Sequence, residues 1–429
     1  MFIINKIVLL RTVKTPLKAF KILLLLLTQN MTNLNAKASI GILGAGTMGS
    51  GIAQVAASAG HPTILFDSNP AMLEKSKTEL NKTLSRLLEK SKITKEESDT
   101  IIQNIRYANS MSEMGSCKLI VEAILEDLSV KQQVVKELEE IVGDECILAS
   151  NTSSLSITSI AGAARIPSRI IGLHFFNPAP LMPLVEIIPG LATNPDLLPQ
   201  VKRLMLDWKK SPVFVKDTPG FIVNRVARPY YGESIRIYEE RWNDLPEGPT
   251  GFATIDWAMK EFGGFRMGPF ELMDMIGNDI NFTVTETVWK QFFHDPKFKP
   301  SLTQKRLVEA KRFGKKSGQG YYNYIQEDKF PEPFRNEHLG KKIKDRVLAM
   351  LINEAVDAVY LNVASCEDID LAMTKGVNYP KGLLKWCDEW GASNVLAVLE
   401  DLHREYSEER YRPSVLLRRM AKEKSLFYQ

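Results

Sequence analysis

Cysteine is scarce and scattered in this chain. Cys117, Cys146, Cys366 and Cys387 are the only four in 429 residues, and no two stand as C-x-x-C. That spacing excludes a zinc ribbon or a thioredoxin-like pair, and no metal site is expected. Isolated thiols of this kind are small core residues in a reducing compartment, so a cytoplasmic setting is expected. Charge of one sign is also lacking: a net charge of +4 gives no case for nucleic acid. The apolar run 22–27 is too short to span a bilayer, so no membrane partner is expected. No G-x-S-x-G elbow occurs, which argues against a serine hydrolase. Acid is missing from the beginning of the chain, where the first is Asp67, while the first thirty residues carry five Lys or Arg. A secretory signal or an organelle presequence would share that bias. The reading preferred here is a non-structural leader over 1–37, with Met31 a candidate start.

What is present is a soluble globular composition, 44% apolar and 25% charged, long enough for two or three domains. From Ser39 strand and helix alternate. "ASIGIL", "PTILFD", "KLIVEAI" and "CILAS" read as strands; "TMGSGIAQVAASAG", "AMLEKSKTELNKTLSRLLEK" and "VKQQVVKELEEIV" read as helices between them. This pattern predicts an α/β domain over 38–217, with a parallel sheet covered on both faces. Beyond the break "DTPG" the helical period takes over and repeats. "NRVARPYYGESIRIYEE" at Asn224 aligns with "DRVLAMLINEAVDAVYL" at Asp345, an offset of 121. "IDWAMKEFGGFRMGP" at Ile255 aligns with "IDLAMTKGVNYPKGL" at Ile369, an offset of 114. Two like helical units are therefore expected, 218–325 and 338–429.

"GAGTMG", residues 44–49, fits G-x-G-x-x-G, follows a strand, opens a helix and is answered by Asp67 at the end of the second strand. Gly44 serves the tight turn, Gly46 the approach of a pyrophosphate, and Gly49 the packing of helix on sheet. Thr47 and Met48 lie in the same loop and first turn, where free N–H groups meet phosphate. Asp67 accepts from a ribose 2′-hydroxyl and repels a 2′-phosphate, so NAD is the expected cofactor.

In "LHFFNPAPLMPLVEII" His174 and Glu186 stand among large apolar side chains. If "RIIGLHFF" and "LVEII" are antiparallel about Pro180, the two lie directly opposite on one face. A carboxylate against one imidazole nitrogen fixes the tautomer and leaves the other nitrogen as a general base. A merely structural pair is the alternative. "SNTSSLSI" follows a strand at the ligand rim, where Ser153 and Ser154 either donate to a substrate or cap a helix.

Together "GAGTMGSGIAQVAASAGH", "VEAILED", "ASNTSSL", "HFFNPAPLMPLVEI", "DTPGFIVNR", "MGPFELMD" and "FGKKSGQGYY" resemble, in order, the signatures of the L-3-hydroxyacyl-CoA dehydrogenases over residues 39 to 325. The resemblance implies a Rossmann-type domain followed by 6-phosphogluconate-dehydrogenase-like helical domains. It implies an acyl-CoA substrate, oxidised at C3 with NAD. His174 is then the base and Glu186 its orienting partner, with Ser153 and Asn224 on the reacting oxygens. Asp67, Glu126, Lys131, Asn177 and Lys316 fall where the family contacts NAD, and Thr83 and Lys90 where it contacts CoA. Pro183 replaces a usual lysine. Asp345 replaces Asn224 in the second copy, which is expected to have lost direct chemistry. The resemblance also implies a monomer with an internal pseudo-dimer of helical domains, or a homodimer. A free hydroxy acid substrate, or a non-catalytic NAD-binding role, are the competing readings.

Overall fold

The computed structural model describes residues 34–35, 37–325 and 331–428; of the leader expected over 1–37, residues 1–33 and 36 lie outside the described residues. Eight strands form one sheet: β1 Ile40–Leu43, β2 Thr63–Phe66, β3 Ile105–Tyr107, β4 Leu119–Glu122, β5 Ile147–Ser150, β6 Ile170–Phe175, β7 Leu184–Pro189 and β8 Ser211–Phe214. Their order is β3-β2-β1-β4-β5-β6-β7-β8. β1 to β6 run parallel; β7 reverses against β6, and β8 follows β7. Alternation along the strands feeds two cores. Ile40, Ile42, Leu119 and Val121 face the helix Thr47–Ser58, while Leu43 and Ile120 face the other side. That second core continues without a break into the helical half, through Leu184, Ile188 and Val213 to Phe221, Val223 and Val347. Among the described residues no helix is long and apolar enough to cross a membrane.

The helical half carries the repeat into three dimensions. Asp256 accepts from the amides of Phe270 and Glu271, and Asp370 from those of Leu384 and Lys385, the same pattern shifted by 114. Tyr322 donates to the first aspartate and Tyr428 to the second. The copies pack through the helices Arg228–Glu239 and Glu337–Tyr360. Arg225 meets Glu354 at 2.6 Å, and Arg346 meets Glu233 at 2.7 Å. Moving 225 and 233 along by 121 gives 346 and 354, so a pseudo-two-fold axis exchanges the two buried pairs. The copies differ where Pro229 stands. It cannot donate to the carbonyl a turn earlier, and the first-copy helix breaks at Ala227 into Val223–Val226 and Arg228–Glu239. Met350 occupies the matching place, and the second helix runs unbroken for 24 residues.

Candidate active site

The glycine loop, Asp67, Glu126 and the loop 151–154 lie at the carboxyl ends of the parallel strands, the rim where open α/β sheets bind ligands. Gly44, just past β1, has φ +102°, and a Cβ there would lie 2.6 Å from the Ala123 carbonyl. A Cβ at Gly49 would lie 1.8 Å from the Gly44 carbonyl. At Gly46 a Cβ would meet no protein atom within 4 Å, so the packing of the fold does not itself require glycine there. No side chain caps the helix that starts at Thr47, and its first N–H groups stay available to phosphate. Asp67 accepts from the Ala45 amide at 2.7 Å and the Asn69 amide at 2.8 Å. It borders a groove of about 850 Å³ with Gly44, Gly46, Met72 and Ile124. These features fit a dinucleotide.

Asp67→Ala is expected to weaken NAD binding about ten-fold, the value of a hydrogen bond to a charged group, and to narrow the gap to NADP. Asp67→Asn separates charge from loop support, since it keeps an acceptor for Ala45. Titration of both cofactors against both variants reads the result; a wild-type preference for NADP would contradict the assignment.

β4 ends in Glu122, which accepts from the Ile124 amide, Ser150 and the Lys131 ammonium at 2.6–2.7 Å. Lys131 is only 1% exposed and also lies 3.4 Å from Glu126. Its influence on a ligand therefore passes through Glu126. That carboxylate collects Thr152, Ser153 and Ser154 through hydroxyls and amides. Burial works to raise its pKa, but Lys131 and these donors outweigh it and hold Glu126 below the ordinary value. The loop after β5 is thus clamped from beneath. Asn224 donates to the Ser153 carbonyl at 3.3 Å, and Gln291 to the Ser154 carbonyl at 2.8 Å.

β6 and β7 pair with His174 directly opposite Glu186. His174 Nδ1 lies 2.6 Å from Glu186 Oε2, and Glu186 Oε1 accepts the Ile222 and Val223 amides, each at 3.0 Å. With a wholly buried carboxylate fixed by backbone donors, Nδ1 carries the proton and Nε2 is left for a substrate. The rings of Phe176 and Phe221 flank the imidazole at 4.4 and 5.9 Å.

A second groove, about 480 Å³, runs from Thr47 and Ser50 past Lys75 and Thr83 to Pro178 and Leu181. Thr83 lies on the exposed side of the helix Pro70–Glu89, and exposed Lys90 is that helix's C-cap. Exposed Asn177 begins the facing loop. Lys316 sits on the first helical copy with its ammonium 2.7 Å from Asp279. Several site residues escape the sequence reading. Lys75 has no motif around it. Lys210 reaches the Ala179 and Met182 carbonyls at 2.5 and 2.9 Å, and burial lowers its pKa to about 8. Asp217 accepts from Ser156, Ile157 and Thr158, tying "DTPG" to the rim.

This is the construction of a nicotinamide-dependent oxidoreductase on a Rossmann-type sheet. The profile of the 3-hydroxyacyl-CoA dehydrogenase NAD-binding domain matches residues 39–218. That of the 3-hydroxyacyl-CoA dehydrogenase C-terminal domain matches twice, at 220–324 and 343–427. The chain belongs to the 3-hydroxyacyl-CoA dehydrogenase family and is an NAD-dependent oxidoreductase. It is 36% identical to the 3-hydroxyadipyl-CoA dehydrogenase of Escherichia coli (strain K12), over 89% of this chain and 97% of that one. It is 40% identical to the mitochondrial hydroxyacyl-coenzyme A dehydrogenase of Sus scrofa, over 66% and 90%. Among solved structures, 3-hydroxybutyryl-CoA dehydrogenase from Escherichia coli K12 superposes with a TM-score of 0.84 at 35% identity, covering 90% of this chain and 98% of that one.

Proposed function

We propose that the chain oxidises L-3-hydroxyacyl-CoA to 3-ketoacyl-CoA reversibly, in fatty acid or related acyl-CoA metabolism, with His174 and Glu186 as the working pair. The observation that carries this is the 2.6 Å contact between them, with the far oxygen of Glu186 locked by two amides. Nε2 takes the C3 hydroxyl proton on oxidation and returns it on reduction. Glu186 stabilises the imidazolium that forms and keeps its ring oriented. Asn224, whose side-chain amide donates to the Ser153 carbonyl at 3.3 Å, and the Ser153 hydroxyl would contact the reacting oxygens. NAD, when bound along the glycine loop and Asp67, supplies the hydride acceptor. Thr83 lines the groove that would take the CoA arm, and Lys90 is the C-cap of the same helix seven positions further on.

Two of the matches carry different acyl groups in their names, adipyl in one and butyryl in the other, so the acyl terminus has to be read from this chain's own residues. Initial rates of NADH formation from L- and D-3-hydroxybutyryl-CoA and from free 3-hydroxybutyrate test the reading. Turnover confined to the L-thioester is expected. Equal efficiency on the free acid would replace it with a hydroxy acid dehydrogenase.

A further inference from the structure

Lys210 is 7% exposed, and among the described residues no carboxylate lies within ion-pair distance of its ammonium. Its partners are two backbone carbonyls, those of Ala179 and Met182. Burial lowers its pKa to about 8, with no nearby acid to oppose the shift. The titratable groups on the elements around it are engaged elsewhere. Glu186 and His174 hold each other, and Arg203 pairs with Asp207 at 3.0 Å. The Lys202 ammonium lies 5.0 Å from the Phe214 ring centre, His61 stands 5.8 Å from the Trp208 ring, and Lys209 is exposed. The turn 178–183 and the helix Thr47–Ser58 carry no titratable group. A buried cation without an anion costs stability that an apolar side chain in the same place would not. What the ammonium gives in return is a fixed geometry for the turn it grips.

That turn joins the strands of His174 and Glu186. The two gripped carbonyls bracket Pro180 and Leu181, and both of these residues line the groove that also holds Thr47 and Thr83. The Leu181 and Met182 amides return to the Pro178 carbonyl at 3.0 and 2.9 Å, so the turn is closed within itself. Its other support is the dinucleotide helix. A Cβ at Gly51 would lie 3.1 Å from Pro180 Cδ and 3.2 Å from Ala179 Cβ, and glycine there lets the turn share a wall with Ser50 and Gln54. The turn is thus held between Gly51 and Lys210, and a shift of either support moves one wall of the groove. The dyad does not depend on the turn in the same way. Its strands are paired over five positions, and Glu186 is anchored by the Ile222 and Val223 amides.

We propose that Lys210 is a positioning residue for the acyl-CoA: its buried ammonium clamps the turn 178–182 and so sets the wall against which the CoA arm binds. This rests on the reading of that groove as the CoA site. Lys210 acts through Pro180 and Leu181 rather than on the reacting atoms. Removing the clamp weakens the hold on the CoA arm equally in the ground state and the transition state, which raises KM and leaves kcat as it is. Loss of its proton does the same. The ammonium is complete below about pH 8 and gives way to a neutral amine above it, so KM for the thioester rises on the alkaline side.

The test follows KM and kcat of the full chain for L-3-hydroxybutyryl-CoA with NAD, from well below to well above pH 8. The N-acetylcysteamine thioester of the same acid, which lacks most of the CoA arm, runs beside it. Lys210→Met is expected to raise KM for the CoA thioester about ten-fold at neutral pH, the scale of losing a charge-assisted hydrogen bond, with kcat and NADH affinity near wild type. In the wild type the same KM should climb as the pH passes about 8. Lys210→Arg, which stays charged throughout, should keep it flat. KM for the short thioester should answer to neither change. Where Lys210→Met does not fold, the wild-type profile and Lys210→Arg decide alone. A wild-type KM for the CoA thioester that stays level across that pH overturns the inference. So does a Lys210→Met variant that loses kcat or NADH affinity with KM unchanged, or an equal shift in KM for the short thioester. A wild type that uses both thioesters at equal KM instead removes the CoA reading of the groove, on which the inference rests.

Discussion

His174→Ala lowers kcat by about two to four decades while NADH affinity stays near that of the wild type. The loss is that of a general base, whose proton must otherwise pass to water in a cleft walled by Phe176 and Phe221. NADH affinity holds because the glycine loop and Asp67 are fixed by their own contacts, among them the Ala45 amide on Asp67. Glu186→Gln separates base from orientation. The amide still accepts from Ile222 and Val223 but no longer offsets an imidazolium on Nδ1, so kcat should fall and its pH profile should move. Stopped-flow reduction of the 3-ketoacyl-CoA, with NADH binding followed by fluorescence, makes both measurements. Wild-type turnover by His174→Ala would take the histidine out of the chemistry altogether.

Glu354→Ala destabilises the protein by about 3–5 kcal/mol, the range for removing one partner of a buried ion pair. Arg225 is then left in the interface, with Lys297 nearby and Asp357 at 3.7 Å as its remaining acid. Replacing both partners by apolar side chains, Arg225→Met with Glu354→Leu, should recover most of the loss, because the desolvation of both charges is avoided. The mirror pair gives an independent check. Burial tends to raise the Glu233 pKa, but Arg346, Arg236 and Arg410 outweigh it and hold the carboxyl below its ordinary value. A depressed carboxylate contributes stability that is complete above its unfolded pKa and lost as the pH falls through its folded one. Glu233→Gln should therefore cost stability at neutral pH and progressively less in acid. Denaturant melts across pH decide it. An unchanged midpoint in both Glu354→Ala and Glu233→Gln would mean that the copies are held by apolar packing alone.

Much of this was legible because the governing interactions are local. The glycine loop and Asp67 are separated by one strand–helix–strand unit, and His174 faces Glu186 because a short turn fixes register in an antiparallel pair. The repeat was legible because Asp256 and Asp370 must each cap the following helix at the same distance. The helix Lys95–Asn104 and the three-residue β3 went unread, since "IRY" is too short to show alternation among polar neighbours. The reversal of β8 depends on its pairing with β7, which nothing in "SPVFVK" encodes. Side-chain partners across long separations were illegible for the same reason. Lys131 turns inward because Glu122 ends a neighbouring strand, and Arg228 meets Thr285 because two helices far apart in sequence pack together.

The duplicated domain has a consequence for assembly. Because both copies lie on one polypeptide, each meets the other at an effective concentration set by their covalent connection and not by the number of chains. Expression level and dilution do not enter that equilibrium. The paired faces that bury Arg225 with Glu354 and Arg346 with Glu233 are thus joined in every folded chain, however few chains a cell holds. The two copies are also free to diverge, since a substitution on one side of their interface is not duplicated on the other, and Asn224 beside Asp345 shows that divergence already made.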